Sequence, residues 1–190
     1  MEFNKSEIRE WIESIAGSVL TAMFIMVFLF QTYKVEGKSM EPNLHEGQRL
    51  IVDKITYRFR PPEPGEIVVI KPKDPTKKFV KRVIAFEGQN ISITKSKLRI
   101  NGLTVNEPYI KEEMNEDYEW TVIPEESVFV MGDNRNRSMD SRDSRNVGFV
   151  PLKNVVGRAV VIYWPPQEAK IVKKPELKGE FDYDNVDFNH

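Results

Sequence analysis

The sequence contains a serine and a lysine that could together break an acyl bond. Ser39 lies in a short polar segment, GKSMEPNL at 37–44, and Lys81 lies among apolar residues at 79–84. A serine hydroxyl becomes a strong nucleophile when a base removes its proton, and a neutral lysine amine can be that base. Burial on an apolar face disfavours the charged ammonium and lowers its pKa. The pair therefore indicates acyl-transfer chemistry.

Each of these residues also has an ordinary structural interpretation. A Gly-x-Ser segment in a loop is commonly only a turn, in which Gly37 supplies backbone freedom and Pro42 stiffens the chain. A lysine in a strand commonly extends its amine to water. Both interpretations stay open on these residues alone.

A third polar segment, at 131–142, directly follows a short apolar strand pattern at 128–130. Polar side chains this dense beside a core strand need hydrogen-bond partners. The segment is either a structural loop held by Asp–Arg pairs or a loop that orients a catalytic group, and both can hold together. Phosphate binding is disfavoured, because acidic residues balance the arginines and no aromatic stacking partner is present.

Composition excludes several other chemistries. Lys and Arg together number 28 against 29 Asp and Glu, so the chain lacks the basic bias of a nucleic-acid-binding domain. Disulfides and thiolate chemistry are excluded because there is no cysteine. A histidine-based serine protease is disfavoured, because His45 lies close behind Ser39 in sequence and His190 lies in a charged tail.

The uncharged stretch 15–30 predicts a membrane-spanning helix. With its flanks it gives an anchor over 13–33, preceded by a short segment 1–12, with the lipid bilayer as partner. A cleaved signal peptide is disfavoured, because acidic residues interrupt the basic start and no small-x-small site follows Phe30. A buried core helix is disfavoured because the stretch is apolar on all faces. Flanking positive charges are balanced and do not set an orientation.

The remaining sequence predicts a mostly β fold, with an antiparallel β-sheet catalytic domain over 34–166 and a small β-hairpin subdomain inserted at 88–124. Short apolar runs bounded by Gly and Pro are typical of strands. The alternating segment 90–100 meets an Asn-Gly pair at 101–102, which is typical of a tight hairpin turn. The charged segment 167–190 is predicted to be a flexible tail.

Four segments, taken in order, resemble the motifs of the type I signal peptidase family. They are GKSMEPNL at 37–44, PGEIVV at 64–69, KRVIAFEG at 81–88 and GDNRNRSMDSR at 132–142. The likeness covers about residues 10–166. One span and a short hairpin insert are similar to the compact Gram-positive form. The resemblance implies a serine–lysine protease on a mostly β fold.

The resemblance implies catalytic roles residue by residue. Ser39 would be the nucleophile and Lys81 the general base, with Ser138 hydrogen-bonding the lysine amine and orienting it. Some members carry a serine two residues before the nucleophile, whose hydroxyl supports the oxyanion hole. Here that position is Gly37, so the hole would depend on the Ser39 backbone N–H.

Further residues are implied to support or line the site. Asp140 and Arg142 would form an ion pair, while Asp133 and Arg135 would brace the same loop. No metal ion and no cofactor are expected. Pockets for small substrate side chains would be lined by Met40, Leu44, Phe79 and Val80.

The resemblance implies a membrane-bound, single-pass enzyme whose N-terminal segment 1–12 is cytoplasmic and whose catalytic domain is extracytoplasmic. It would cleave N-terminal signal peptides from secreted preproteins after small residues of the Ala-x-Ala type. A self-cleaving serine–lysine regulator is one alternative, but it would carry a DNA-binding segment where this chain has an apolar stretch. A catalytically silent membrane scaffold is another, but it would lack the serine or the lysine, and both are present.

Overall fold

The computed structural model describes residues 5–175, without the side chains of 5–7 and 25–28. The described part begins with a helix and continues mainly as strands. In chain order the helix and strands are α1 Lys5–Leu29, β1 Phe30–Lys34, β2 Arg49–Asp53, β3 Ile67–Ile70, β4 Phe79–Phe86, β5 Asn90–Thr94, β6 Lys97–Ile100, β7 Leu103–Thr104, β8 Tyr118–Val122, β9 Ser127–Met131, β10 Val150–Pro151, β11 Val155–Trp164 and β12 Lys170–Ile171.

The apolar N-terminal stretch forms α1, but the helix ends earlier than the sequence predicts. The last residues of the predicted anchor, 30–33, belong instead to β1, where Tyr33 lies opposite Leu50 of β2. Lys54 N–H donates to the Leu29 carbonyl at 3.1 Å and ties the helix end to the chain after β2. No helix in the described part of the chain combines the length and the hydropathy that a membrane crossing requires. The anchor over 13–33 stays a prediction from the sequence.

The larger sheet confirms the prediction of a mostly β, antiparallel fold. Its strand order is β1-β2-β11-β3-β4-β9-β10, with β12 paired to β11, and every pairing is antiparallel. Successive side chains of a strand point to opposite faces. In β9, Val128 and Val130 therefore join one buried cluster while Phe129 and Met131 join another. Both faces of this strand are covered, which explains its unbroken apolar sequence.

The smaller sheet, ordered β7-β6-β5-β8, forms the hairpin insert. The turn between β5 and β6 contains Lys95 and Ser96 at positive φ, and Asn101 and Gly102 form the turn between β6 and β7 in the same way. Two adjacent residues at positive φ match the twist of an antiparallel hairpin. The inward face of this sheet packs against β4 and β9 through Ile91, Ile93, Leu98 and Ile100.

The charged tail is partly structured, contrary to the sequence prediction. Residues 170–171 form β12 on the edge of β11, and Val172 packs against the cluster beneath β1 and β2. Gln48 Nε2 also donates to Glu168 at 2.5 Å. Backbone pairing and apolar contact therefore hold the chain after residue 166, and residues 176–190 of the predicted tail lie outside the described residues.

A buried carboxylate joins the chain before β3 to the rest of the larger sheet. Glu66 accepts hydrogen bonds from the Tyr57 hydroxyl at 2.8 Å, Arg60 at 2.6 Å, Arg158 at 3.3 Å and the Glu63 N–H at 2.9 Å. Burial alone would raise the pKa of Glu66, but these donors hold it below its ordinary value.

We expect Glu66→Ala to lower the free energy of unfolding by about 2–3 kcal/mol, because it removes the most buried counter-charge of Arg60 and Arg158. Urea denaturation at pH 7 measures the change. The matched control is Glu63→Ala, whose ion pairs are more exposed and whose loss should cost less than about 1 kcal/mol. Equal effects of the two variants would contradict a structural role for the buried carboxylate.

Candidate active site

The fold brings the serine and the lysine of the sequence analysis into direct contact. Ser39 lies in the connection between β1 and β2, and Lys81 lies on β4. Lys81 Nζ is hydrogen-bonded to Ser39 Oγ at 2.7 Å, although the residues are 42 positions apart in the sequence. Phe79, two residues before Lys81 on the same strand face, has its ring centroid 5.4 Å from the amine. The amine therefore lies between an aromatic ring and a hydroxyl.

The Lys81 amine is shielded from water, with 3% of the residue exposed. Burial lowers its pKa from 10.5 to about 8, while the carboxylates of Asp140 and Asp133 act in the opposite direction. At pH 7 about one amine in ten is then neutral, far more than for an exposed lysine. A neutral amine within hydrogen-bond reach of a hydroxyl can accept its proton.

The polar loop at 132–142 holds the backbone around Ser39. Asn134 donates through its N–H to the Ser39 carbonyl at 3.0 Å and through Nδ2 to the Lys38 carbonyl at 3.0 Å. Gly132 packs so closely that a Cβ there would overlap the Ser39 carbonyl oxygen and the Ser138 hydroxyl. The loop and the nucleophile segment therefore fit only with a glycine at this point.

A buried ion pair connects the same loop to the strand that carries Lys81. Arg82 and Asp133 form two hydrogen bonds, at 2.7 and 2.6 Å, and both side chains are almost completely buried. Asn43 Nδ2 donates to the same carboxylate at 2.8 Å. Lys81 and Arg82 are adjacent on β4 and point to opposite faces, so one reaches the serine while the other anchors the loop.

The supporting acidic and basic residues have separate partners. Arg142 binds Asp140 at 2.8 Å, as the sequence predicts for this pair. Burial would raise the pKa of Asp140, but Arg142 and the Gly132 N–H keep it below its ordinary value. Arg135 pairs with Glu107 at 2.6 Å, so Asp133 and Arg135 brace the loop through different elements.

Ser138 does not make the hydrogen bond to the lysine amine that the sequence predicts. Its Oγ is buried and has no hydrogen-bond partner of good geometry among the described residues, although it lies near enough to Asp140 to help lower the pKa of that carboxyl. The Lys81 amine is directed to Ser39 instead.

A small cleft of about 70 Å³ opens beside the two reactive side chains. It is lined by residues 34–36 of β1 and its continuation, residues 78–80 at the start of β4, and Met40. Leu44 does not line this cleft and is buried in the apolar cluster with Leu50, because the turn after Met40 directs it inward. Of the predicted pocket residues, those on the cleft are Met40, Phe79 and Val80.

Gly37 adopts a positive φ of 78°, a conformation that favours glycine. With no side chain, this residue offers no hydroxyl beside Ser39. In the described chain, no cluster of three His, Cys, Asp or Glu side chains could hold a metal ion.

Sequence reasoning missed four residues that organise the site: Asn43, Arg82, Glu107 and Gly132. Arg82 carried a usable signal, because a charged side chain in an apolar strand needs a buried counter-charge. Asn43 and Gly132 lie within the motif segments at 37–44 and 132–142, and Glu107 pairs with a residue 28 positions away, so none of the three residue types indicates its contact.

A hydroxyl paired with a buried amine is the arrangement of a serine hydrolase that uses lysine as its base. A profile of the family described as signal peptidase, peptidase S26, matches residues 8–164. The chain belongs to this family and is therefore an enzyme, a serine peptidase.

Curated relatives give the same result. A signal peptidase I from Leptolyngbya laminosa is 39% identical over 84% of this chain and 81% of its own length. One from Bacillus licheniformis is 37% identical over 87% and 94%. Signal peptidase I T from Bacillus subtilis is 36% identical over 86% and 89%. A solved signal peptidase I from Enterococcus faecalis has a TM-score of 0.44 at 28% identity and covers 53% of this chain and 98% of that chain.

We expect Gly132→Ala to lower kcat/KM about 100-fold or more, because the added methyl displaces the Ser39 backbone from its reactive position. Cleavage of a peptide substrate by the purified variant measures the loss. Gly17→Ala is the matched control, since its Cβ meets open space on α1 and activity should stay within about twofold. Full activity of Gly132→Ala would show that the close contact is not required.

Proposed function

We propose that this enzyme cleaves signal peptides from preproteins, with Ser39 as nucleophile and Lys81 as general base. The observation that carries the proposal is the 2.7 Å contact between the Ser39 hydroxyl and an amine whose pKa burial lowers to about 8. Membership of the signal peptidase family supports the substrate class. The extracytoplasmic location of the catalytic domain stays a prediction from the resemblance.

The reaction proceeds in two acyl transfers. Neutral Lys81 takes the Ser39 proton as Oγ attacks the scissile carbonyl carbon, and the Ser39 N–H stabilises the resulting oxyanion. The ammonium then gives its proton to the departing amide nitrogen, so the peptide bond breaks and an acyl-enzyme remains. Water attacks this ester while Lys81 accepts a water proton. The serine regains a proton from the ammonium as the carboxylic acid product leaves.

The substrate segment is proposed to bind as an extended strand beside the dyad. Among the described residues, β1 pairs only with β2, and residues 79–81 of β4 pair only with β3, so each has a free edge toward the cleft. An extended peptide can satisfy such edges with main-chain hydrogen bonds. A cleft of about 70 Å³ favours alanine-sized side chains, because larger ones would clash.

The decisive experiment removes each reactive group in turn. We expect Ser39→Ala and Lys81→Met each to reduce cleavage of a preprotein with an Ala-x-Ala site by about 1,000-fold or more. Gel analysis of single-turnover reactions measures the rate of cleavage. Mass spectrometry of the new N-terminus identifies the bond that is cleaved. Ser92→Ala and Lys71→Met, at positions outside the site, are matched controls that should keep full activity. Cleavage that survives either active-site change would refute the proposed mechanism.

We also expect kcat/KM to rise with pH through a midpoint of about 8. Below that midpoint Lys81 is an ammonium and cannot accept the serine proton, so the rate falls about tenfold per pH unit. Initial rates between pH 6 and 10 in buffers of constant ionic strength measure the profile. A flat profile between pH 7 and 9, or a midpoint near 6.5 as for a histidine, would contradict this assignment.

A further inference from the structure

A glutamate in the connection after the smaller sheet's third strand along the chain binds the buried guanidinium of Arg135 in the polar loop. Glu107 lies between β7 and β8, and its side chain is 5% exposed. Its two carboxylate oxygens accept hydrogen bonds from Arg135 at 2.6 and 2.7 Å, and the Tyr109 hydroxyl donates to it at 2.8 Å. The Arg135 side chain is fully buried, so this carboxylate is the counter-charge on which its burial depends.

From Arg135 the contacts lead directly to the nucleophile. Arg135 Nε donates to the Gly132 carbonyl at 3.0 Å and fixes the start of the polar loop. Asn134, one residue before Arg135, donates to the carbonyls of Lys38 and Ser39. Glu107 is therefore separated from the nucleophile backbone only by Arg135 and the tight turn that Arg135 closes.

A second route runs from the same segment to the strand of the base. The Tyr109 ring lies 4.3 Å from the Arg82 guanidinium carbon and 5.7 Å from that of Arg135. The backbone carbonyl of Tyr109 accepts a hydrogen bond from Asn43 Nδ2 at 2.7 Å. The segment 107–109 thus contacts both the connection between β1 and β2, which carries Ser39, and Arg82, which is next to Lys81. None of the residues in this segment lines the substrate cleft.

We propose that Glu107, with Tyr109 bound to it, is a positioning residue for peptide cleavage, acting through Arg135. The inference rests on the proposed function of Ser39 and Lys81. Without the carboxylate, the buried guanidinium must turn toward water and release the Gly132 carbonyl. The supports of the Ser39 carbonyl then move, and the hydroxyl leaves its contact with the amine. Since Ser39 is the one residue among these that lines the cleft, the rest of the cleft keeps its shape and the loss falls on kcat and not on KM.

The test compares Glu107→Gln with the wild-type enzyme in steady-state preprotein cleavage at pH 8.5. Every variant is assayed well below its own unfolding temperature, as measured by circular dichroism. We expect kcat to fall about tenfold or more and KM to stay within about twofold, with partial rescue by Glu107→Asp. Glu113→Gln, which breaks an exposed ion pair with Lys97 in the same connection, should change neither value.

A folded Glu107→Gln enzyme with wild-type kcat, changed only in unfolding temperature, would overturn the inference by assigning the residue to stability alone. If that variant does not fold, Tyr109→Phe replaces it, because it removes only the hydroxyl that binds the carboxylate. Its kcat should fall about threefold, and a wild-type kcat would again overturn the inference. Failure of the proposed function is distinct, because cleavage would then persist in Ser39→Ala.

Discussion

The site depends on keeping one amine out of water. The folded protein holds the pKa of Lys81 at about 8 against an ordinary 10.5, so at pH 7 this burial costs about 3 kcal/mol of folding free energy. The unfolded chain binds the proton more tightly. The penalty is therefore complete below pH 8, shrinks as pH rises from about 8 to 10.5, and vanishes above that. Apolar clusters on both faces of the larger sheet offset it.

Buried ion pairs give this arrangement its geometry more than its stability. Arg82 with Asp133 and Arg135 with Glu107 are both removed from water, where desolvation cancels much of the Coulomb attraction. Their hydrogen bonds are directional, and they tie the start of the loop to two different elements, β4 and the connection between β7 and β8. The loop can then hold the Ser39 carbonyl while its own N–H groups and charges are satisfied.

Local sequence predicted the parts of the fold that local rules control. Alternation over 90–100 and the turn at 101–102 indicated a hairpin, and these residues form strands of the smaller sheet. The motif segments also named both members of the serine–lysine contact. Pairing with distant strands was not predicted. Uncharged residues continue to Tyr33, yet pairing with β2 makes residues 30–33 a strand. Residues 170–171 likewise became a strand only because β11 offers a free edge.

Contacts between residues far apart in the sequence explain why parts of the site were not predicted. Arg82 finds its carboxylate 51 positions away, and Arg135 finds its own 28 positions away, so spacing within a motif could not reveal either pair. Leu44 sits in a motif but turns into the core, because a motif marks both reactive and packing positions. The direction of the Ser138 hydroxyl depends on the path of the whole loop, which composition does not encode.

The alternation of Lys81 and Arg82 on β4 makes catalysis sensitive to strand registration. A slip of one position against β3 would exchange the two faces and present a guanidinium to Ser39. A guanidinium stays protonated at any physiological pH, so it could never serve as a proton acceptor. A misregistered chain would thus be inert even with every side chain intact. The pairing of Val68 with Lys81 and of Ile67 with Arg82 therefore decides which of the two basic side chains faces Ser39.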